Sequence, residues 1–204
     1  MIVVGIVGRP AAGKSTVARL LAERGGVVID ADRIAHDVLD GAEVRRELVE
    51  QFGPAVLEAD GGVSRPALAA RVFGPTEQQA ADLAALEGIV HPRVRQRILD
   101  RLAALGAGPR AGATVAVLDV PLLIQAGWDD LCDRLVLVDC DETERQRRLA
   151  ARGWSAADRT ARDRGWQRNY RPPPAEKTTR VDASAGEAYT RAQVDLFWAS
   201  LPRA

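Results

Sequence analysis

Residues 8–15 read Gly-Arg-Pro-Ala-Ala-Gly-Lys-Ser, and the predicted fold follows from these eight residues and their neighbours. It matches the pattern G-x-x-x-x-G-K-[ST] without a gap. The preceding residues Ile2–Val7 are apolar and mostly β-branched, which predicts a buried strand. The following residues Ser15–Arg24 carry apolar side chains at helical spacing. A strand, a glycine-rich loop and a helix in this order predict a phosphate-binding loop.

The residue types of this loop suit a phosphate for separate physical reasons. Main-chain N–H groups must point inward, so side chains must be small or face outward. Lys14 supplies a compact charge that the planar arginine guanidinium would not match, and the Ser15 hydroxyl is a ligand suited to Mg²⁺. Pro10 lacks an N–H group, and we expect it to face away from the phosphate. The predicted ATP-binding residues are Gly8, Ala11, Ala12, Gly13, Lys14, Ser15 and Thr16.

Chance alone produces such a match in roughly one of a thousand chains of this composition. A glycine-rich turn that binds nothing is the alternative. Lysine usage supports the prediction of a phosphate-binding loop, because Lys14 and Lys177 are the only lysines among the 28 lysine and arginine residues. Because the chain uses arginine at nearly all its other basic positions, a lysine indicates a position that arginine does not suit. No independent argument of this kind singles out Lys177.

Composition excludes several classes of protein. The chain has 204 residues with 28 basic and 28 acidic side chains, so bulk positive charge is not available for binding nucleic acid. Two cysteines, Cys132 and Cys140, are too few for a disulfide scaffold. No apolar run approaches the roughly 20 residues of a membrane span, and no leader precedes the first apolar stretch. We expect a cytoplasmic α/β protein, and the sequence leaves its oligomeric state open.

Further apolar runs predict an open parallel sheet with helices on both faces. Short strands are expected at Val27–Ile29, Val115–Leu118 and Leu135–Val138. We predict a single domain with a core at about 1–40 and 113–204 and a helical insert at about 41–112. Asp141-x-x-Glu144 resembles a capping box, and the C-terminal helix is expected to dock through Tyr189, Val194, Phe197 and Trp198.

Carboxylates follow three of the predicted strands. Asp30 and Asp32 would lie on the same side of an extended segment, where one of them accepts or orients a proton. Asp119 ends the third strand, where it could hold Mg²⁺ through water. Helix capping by Asp30 or Asp32, and turn formation by Asp119, are the competing interpretations.

Basic residues outside the loop have two interpretations each. Arg148 and Arg152 are four residues apart on a predicted helix, together with Arg145 and Arg147. Such a face can neutralise charge on a triphosphate, or it can be an ordinary solvated surface. His91, before Pro92, is equally consistent with a structural and a functional role.

At this point the ordered motifs resemble those of the dephospho-coenzyme A kinase family. They run along nearly the whole chain: Gly5-Ile6-Val7-Gly8, Ile29-Asp30-Ala31-Asp32-Arg33-Ile34-Ala35, Gln51-Phe52-Gly53, Gly62-Val63-Ser64-Arg65, Val72-Phe73, Leu86-Glu87-x-x-Val90-His91-Pro92, Leu118-Asp119-Val120-Pro121-Leu122-Leu123 and Arg148-Leu149-x-x-Arg152. This chain differs from the usual pattern of the family at three places. It has Ala11-Ala12 where the family usually has Gly-Ser or similar, Gln125 where the family usually has Glu, and a different sequence around Thr178 to Gly186.

The resemblance implies a P-loop kinase fold of the nucleoside-monophosphate-kinase type, with a helical substrate subdomain and a lid at about 145–177. It implies transfer of the ATP γ-phosphate, with Mg²⁺, to the ribose 3′-hydroxyl of dephospho-CoA, the last step of coenzyme A biosynthesis. The implied catalytic residues are Asp32, Lys14, Arg148 and Arg152; the substrate residues are Asp32, Arg65, His91 and Leu122; and the metal ligands are Ser15 and Asp119. A kinase for another hydroxyl acceptor and a non-catalytic nucleotide switch are the alternatives.

Overall fold

A computed structural model describes residues 1–108, 114–168 and 170–202. Within these ranges the chain forms a five-stranded sheet of parallel strands in the order β2-β3-β1-β4-β5. The predicted parallel sheet is therefore confirmed, and its fifth strand is an addition that the sequence did not indicate. The strands are β1 (Ile2–Val7), β2 (Val27–Asp30), β3 (Val115–Asp119), β4 (Arg134–Asp139) and β5 (Thr178–Asp182).

The central strand β1 explains why the first apolar run is so uniform. Val4 pairs with Val117 of β3 on one side and with Arg134 of β4 on the other. Val4 and Ile6 are completely buried, as expected for a strand that is covered on both faces. Because all strands run in one direction, their carboxyl ends meet at one edge of the sheet, which is where ligands bind in such folds.

The described residues also form eight α-helices. Two of them, α1 and α8, pack together on one face, where Leu20, Leu21, Val194 and Phe197 join the sheet core. The helices are α1 (Lys14–Glu23), α2 (Ala31–Leu39), α3 (Ala42–Phe52), α4 (Arg65–Val72), α5 (Glu77–Ala107), α6 (Glu142–Ala151), α7 (Ala156–Gln167) and α8 (Glu187–Ser200). None of these described helices is both long enough and apolar enough to cross a membrane.

The chain divides into two compact units. The first contains residues 1–30 and 102–204 and carries the whole sheet, and the second contains residues 31–101 and is helical. The second unit has its own core, which includes Ile34, Leu48 and Ile98. It begins about ten residues earlier than the insert predicted at about 41–112, because α2 clusters with the helices that follow it. It ends at residue 101, within α5. The predicted boundary at 112 falls outside the described residues.

Three local predictions differ from the structure. Asp141 precedes α6 but makes no side-chain capping bond, and Glu144 binds arginines instead, so the predicted capping box is absent. Tyr189 is 47% exposed and does not belong to the docking face of α8, whereas Val194 and Phe197 are buried. Strand β2 runs one residue further than predicted, to Asp30.

Candidate nucleotide-binding site

The phosphate loop, residues 8–15, joins β1 to α1 at the carboxyl edge of the sheet. Gly8 passes so close to β4 that an added Cβ would lie 2.3 Å from the carbonyl oxygen of Val138. Gly13 has a φ of 117° and directly precedes α1, a conformation that L-residues rarely adopt. Both glycines are thus required by the backbone path, as the sequence pattern predicts.

Two alanines stand between these glycines, and their conformations differ. Ala11 has a φ of 64° and is the only residue other than glycine with a positive φ in the described part of the chain. This left-handed conformation crowds a Cβ against the backbone. Ala12 is almost completely buried, and its N–H donates to the Arg9 carbonyl at 3.2 Å. The loop therefore tolerates Ala12 easily and Ala11 only with backbone strain.

Lys14, the first residue of α1, turns back across the loop. Its ammonium group donates to the Gly8 carbonyl at 2.8 Å and to the Arg9 carbonyl at 3.1 Å. These contacts hold the charge inside the curve of the main chain, next to the N-terminal amides of α1. The helix dipole and one ammonium group therefore act on the same small volume, which favours an anion.

A cavity of about 470 Å³ lies beside this loop in the first unit. Its volume falls in the range of small-molecule sites. Six predicted site residues line it, namely Ala11, Gly13, Ser15, Thr16, Arg148 and Arg152. The sequence did not indicate the residues that come from the β5–α8 segment, which are Ala183, Gly186, Glu187 and Thr190.

Arg148 connects the walls of this cavity. Its guanidinium donates to the carbonyls of Ala12 at 2.9 Å and Ala183 at 2.6 Å, and its Nε donates to Glu144 at 2.8 Å. The same side chain therefore braces the phosphate loop and the segment after β5. It lines the cavity, and all three of its guanidinium nitrogens already donate to acceptors of the protein.

The other arginines of α6 occupy three different environments. Arg147 is exposed and binds Glu144, and this hydrogen bond is the main reason that the pKa of Glu144 falls to about 2. Arg152 is exposed, ends α6 and lies 5.7 Å from the ring of Trp154. Arg145 is 2% exposed, so the interpretation as a solvated face is wrong for this residue. It binds Glu142 of its own helix and Asp163 of α7.

The predicted metal ligands supply oxygen atoms of the kind that Mg²⁺ prefers. Asp119 is the last residue of β3 and pairs in register with Asp30 of β2 and Ile6 of β1. Ser15 lies in the first turn of α1 and lines the cavity. The described residues contain no cluster of three or more metal-ligating side chains. One hydroxyl and one carboxylate fit a Mg²⁺ ion that takes its other ligands from nucleotide oxygens and water.

The two carboxylates Asp30 and Asp32 do not share an extended segment. Asp30 is the last residue of β2, whereas Asp32 lies in the first turn of α2, so the predicted alternation of side chains is wrong here. The chain also passes from the first unit to the second between them. An acidic residue in a first turn interacts favourably with the helix dipole, and this accounts for the local fold around Asp32.

The remaining predicted substrate residues are spread over two regions. Arg65 begins α4 in the second unit, where its guanidinium lies 3.4 Å from Nδ1 of His36. His91 is exposed on α5. Leu122 is half-buried in the turn after β3, in the first unit. The structure thus pairs Arg65 with a histidine that the sequence did not indicate.

Two further polar residues were missed by sequence reasoning. Lys177 donates to the carbonyls of Asp129 at 2.6 Å and Cys132 at 3.2 Å, which explains a lysine here as a structural residue. Gln125 donates to the Trp166 carbonyl of α7 at 2.5 Å. The only sequence signal for Gln125 was its departure from the glutamate that is usual in the family.

Comparison with known proteins assigns the family. The model of the dephospho-CoA kinase family matches residues 2–167. The chain belongs to this family. A dephospho-CoA kinase of Rhodopirellula baltica is 40% identical over 187 residues, covering 90% of this chain and 83% of the relative. One of Moorella thermoacetica is 37% identical and covers 100% of this chain and 93% of its own length.

Solved structures agree with the fold. A protein of Thermus thermophilus superposes with a TM-score of 0.74 at 32% identity, covering 98% of both chains. A dephospho-CoA kinase from Campylobacter jejuni superposes with a TM-score of 0.63 at 21% identity, covering 97% of this chain and 95% of its own. The second comparison supports the architecture of the sheet and helices alone. The family model ends at residue 167, before β5 and α8.

Proposed function

We propose that this chain transfers the γ-phosphate of ATP to the ribose 3′-hydroxyl of dephospho-CoA, giving coenzyme A and ADP. The observation that carries the proposal is the phosphate loop, which combines the glycine geometry and an inward-turned Lys14 with a cavity of about 470 Å³ lined by Ala11, Gly13 and Ser15. Family membership, shown by a match over residues 2–167, selects dephospho-CoA as the acceptor.

Nucleotide binding relies on fixed main-chain donors. The amides at the start of α1 bind the phosphate oxygens, and Lys14 stabilises the negative charge that spreads over the transferred group in the transition state. Arg148 keeps the loop in shape through the Ala12 carbonyl, and Arg152 adds positive charge at the rim of the cavity. Because these groups are positioned before ATP arrives, little reorganisation accompanies the reaction.

Ser15 and Asp119 would hold Mg²⁺ with the nucleotide. When bound, the ion neutralises charge on the phosphate oxygens. Ser15 lies in the helix turn that follows the phosphate loop, and Asp119 ends the strand beside β1. Direct binding by the Ser15 hydroxyl and water-mediated binding by Asp119 match the few protein ligands that Mg²⁺ usually takes.

Asp32 would accept the proton of the attacking hydroxyl. The bond between the γ-phosphorus and the bridging oxygen of ADP breaks as the 3′-oxygen bonds to phosphorus, and the proton passes to the carboxylate. Arg65, His91 and Leu122 would bind the acceptor. We propose residues 145–177 as the lid, because exclusion of water favours transfer over hydrolysis.

An acceptor competition tests this function. Purified protein would be incubated with MgATP, dephospho-CoA and a panel of nucleosides, nucleotides and sugars, and each phosphorylated product would be quantified by mass. We expect coenzyme A to be the dominant product. Phosphorylation of another alcohol in its place would support the alternative acceptor class, and ATP binding without transfer to any acceptor would favour a nucleotide switch.

Cellular location is inferred from chemistry alone. Cys132 and Cys140 are both free thiols, and burial raises the pKa of Cys132 to about 12. We propose the cytoplasm as the place of action, because free cysteines are typical of proteins in reducing compartments.

A further inference from the structure

We infer that Asp163 and Arg9 couple α7 to the phosphate loop, so that Asp163 is a positioning residue for phosphoryl transfer. This inference rests on the function proposed above, in which α7 belongs to the lid. It concerns four side chains that we name the α7 clamp: Arg9, Glu142, Arg145 and Asp163.

The clamp begins in the phosphate loop itself. Arg9 is the second residue of the loop, and its guanidinium contacts Glu142 of α6 at 3.0 Å and Asp163 of α7 at 3.5 Å. The backbone of Arg9 serves the loop at the same time, since its carbonyl accepts hydrogen bonds from Lys14 and from the amide of Ala12. One residue therefore belongs to both the phosphate-binding backbone and the contact with α7.

Arg145 gives the clamp its rigidity. Its guanidinium donates to both oxygens of Asp163 at 2.9 Å and to both oxygens of Glu142 at 3.0 and 2.7 Å. Its side chain is 2% exposed, and burial of a charge is tolerated only when all of its donors are satisfied. Asp163 is the acceptor through which α7 satisfies this buried cation, so the position of α7 is tightly specified.

Two weaker contacts hold α7 in the same place. Gln125, in the segment after β3, donates to the Trp166 carbonyl near the end of α7. Arg159, near its beginning, donates to Gln146 of α6 at 3.2 Å. Neither contact involves the phosphate loop. Arg9 is therefore the loop residue through which a change in the loop would reach α7 in the described structure, directly through Asp163 and indirectly through Glu142 and Arg145.

The consequence is a link between nucleotide binding and water exclusion. If α7 is held by the loop, weakening the Arg9–Asp163 contact lets α7 open while the phosphate-binding amides remain intact. Water then reaches the γ-phosphate more often, and hydrolysis of ATP increases relative to transfer. Loss of packing alone would lower both rates together and leave their ratio unchanged.

The experiment uses Asp163→Asn, Arg9→Gln, their double variant and Glu23→Gln as a matched control. Glu23 is also shared by two arginines, Arg19 and Arg191, but lies at the far end of α1. Asp163→Asn could prevent folding, because Asp163 binds the buried guanidinium of Arg145. Arg9→Gln is the second variant, because Arg9 is a partly exposed side chain of the loop and its loss is easier to tolerate.

Two readouts are measured on the full chain. The first is the rate of tryptic cleavage within α7, after Arg159, Arg162 and Arg164, which needs no substrate. The second is the ratio of ADP formed without coenzyme A to coenzyme A formed. We expect cleavage to rise about threefold in Arg9→Gln and about tenfold in Asp163→Asn, with the ratio rising in both and no change in Glu23→Gln.

The double variant decides whether the two residues act together. Coupling predicts that it cleaves no faster than Asp163→Asn alone. Fully multiplicative effects, or wild-type cleavage and product ratio in both single variants, would overturn the inference. If the wild-type chain makes no coenzyme A, the proposed function fails, and the cleavage rates still decide whether the clamp holds α7.

Discussion

Lys14 and Lys177 have the same side chain but contact different kinds of structure. Lys14 lies in the phosphate loop, where its ammonium group donates to the carbonyls of Gly8 and Arg9. Lys177 supports the carbonyls of a short 3-10 turn, Trp128–Leu131, and the residue that follows it. The two lysines therefore offer a matched pair for separating catalysis from stability.

We predict that Lys14→Ala lowers kcat/KM for coenzyme A formation by about a thousandfold while the chain stays folded, because it removes charge stabilisation from the transition state. Lys177→Ala should leave kcat unchanged and destabilise the fold by about 1–3 kcal/mol, because two carbonyls lose their donor. Steady-state kinetics and thermal unfolding of both variants measure this. Near-normal turnover in Lys14→Ala would refute its assignment.

Ala11 stores backbone strain in the phosphate loop. Since its φ is 64°, we predict that Ala11→Gly stabilises the protein by about 0.5–1 kcal/mol, the relief of strain exceeding the added freedom of the unfolded chain. Ala12→Gly is the control, because this buried methyl group has no positive φ and its removal should destabilise. Urea unfolding measures the stability of both variants against wild type. Equal destabilisation by the two glycines would show that Ala11 is not strained.

The sequence predicted the strand, loop and helix around residues 8–15 well, because the glycines of this pattern are required by the main-chain path. A phosphate loop requires glycine, lysine and a hydroxyl at fixed spacing, so the pattern specifies the geometry. It did not predict the partners of Arg145, because Asp163 lies 18 positions away on another helix. Asp32 was placed on an extended segment, but the helix begins one residue before it.

Among the secondary-structure elements, strand β5 is one that the hydrophobic pattern of the sequence did not predict. The sequence indicated β1 to β4 because these strands carry apolar runs that are buried. Thr178–Asp182 contains a single fully buried residue, Val181, and pairs only with β4 among the described strands, so it is an edge strand with a polar sequence. Ala183, the residue after β5, lines the cavity, and an apolar pattern could not predict this position.

The α6 helix gives a pH-dependent prediction. The hydrogen bond from Arg145, with a smaller contribution from Gln146, lowers the pKa of Glu142 from 4.5 to about 2. A carboxyl group whose pKa is lowered on folding contributes stability above pH 4.5, and this contribution disappears as the pH falls toward 2. We therefore predict that Glu142→Gln is less stable than wild type at pH 6 and that the difference shrinks as the pH falls to 3.

Urea unfolding of both proteins at pH 6, 4 and 3 measures this difference. Because the Glu142 side chain is 55% exposed, high salt should reduce the difference at pH 6. A difference that is constant with pH would mean that Glu142 is not held ionised by Arg145 and that the clamp derives its stability from packing.

At the scale of the whole molecule, the phosphate loop and the predicted proton acceptor belong to different units. The first unit holds the loop, the cavity and the predicted metal ligands, and the second begins one residue before Asp32. Each unit is compact by itself. Fold and family follow from the motifs along the sequence, whereas the acceptor contacts depend on tertiary placement.

The most direct measurement is the mass of the product formed from dephospho-CoA. Purified protein, MgATP and dephospho-CoA should yield one new species that is heavier by one phosphate and co-elutes with authentic coenzyme A, and Lys14→Ala should yield almost none. Unchanged dephospho-CoA in the presence of folded protein and MgATP would contradict the central claim.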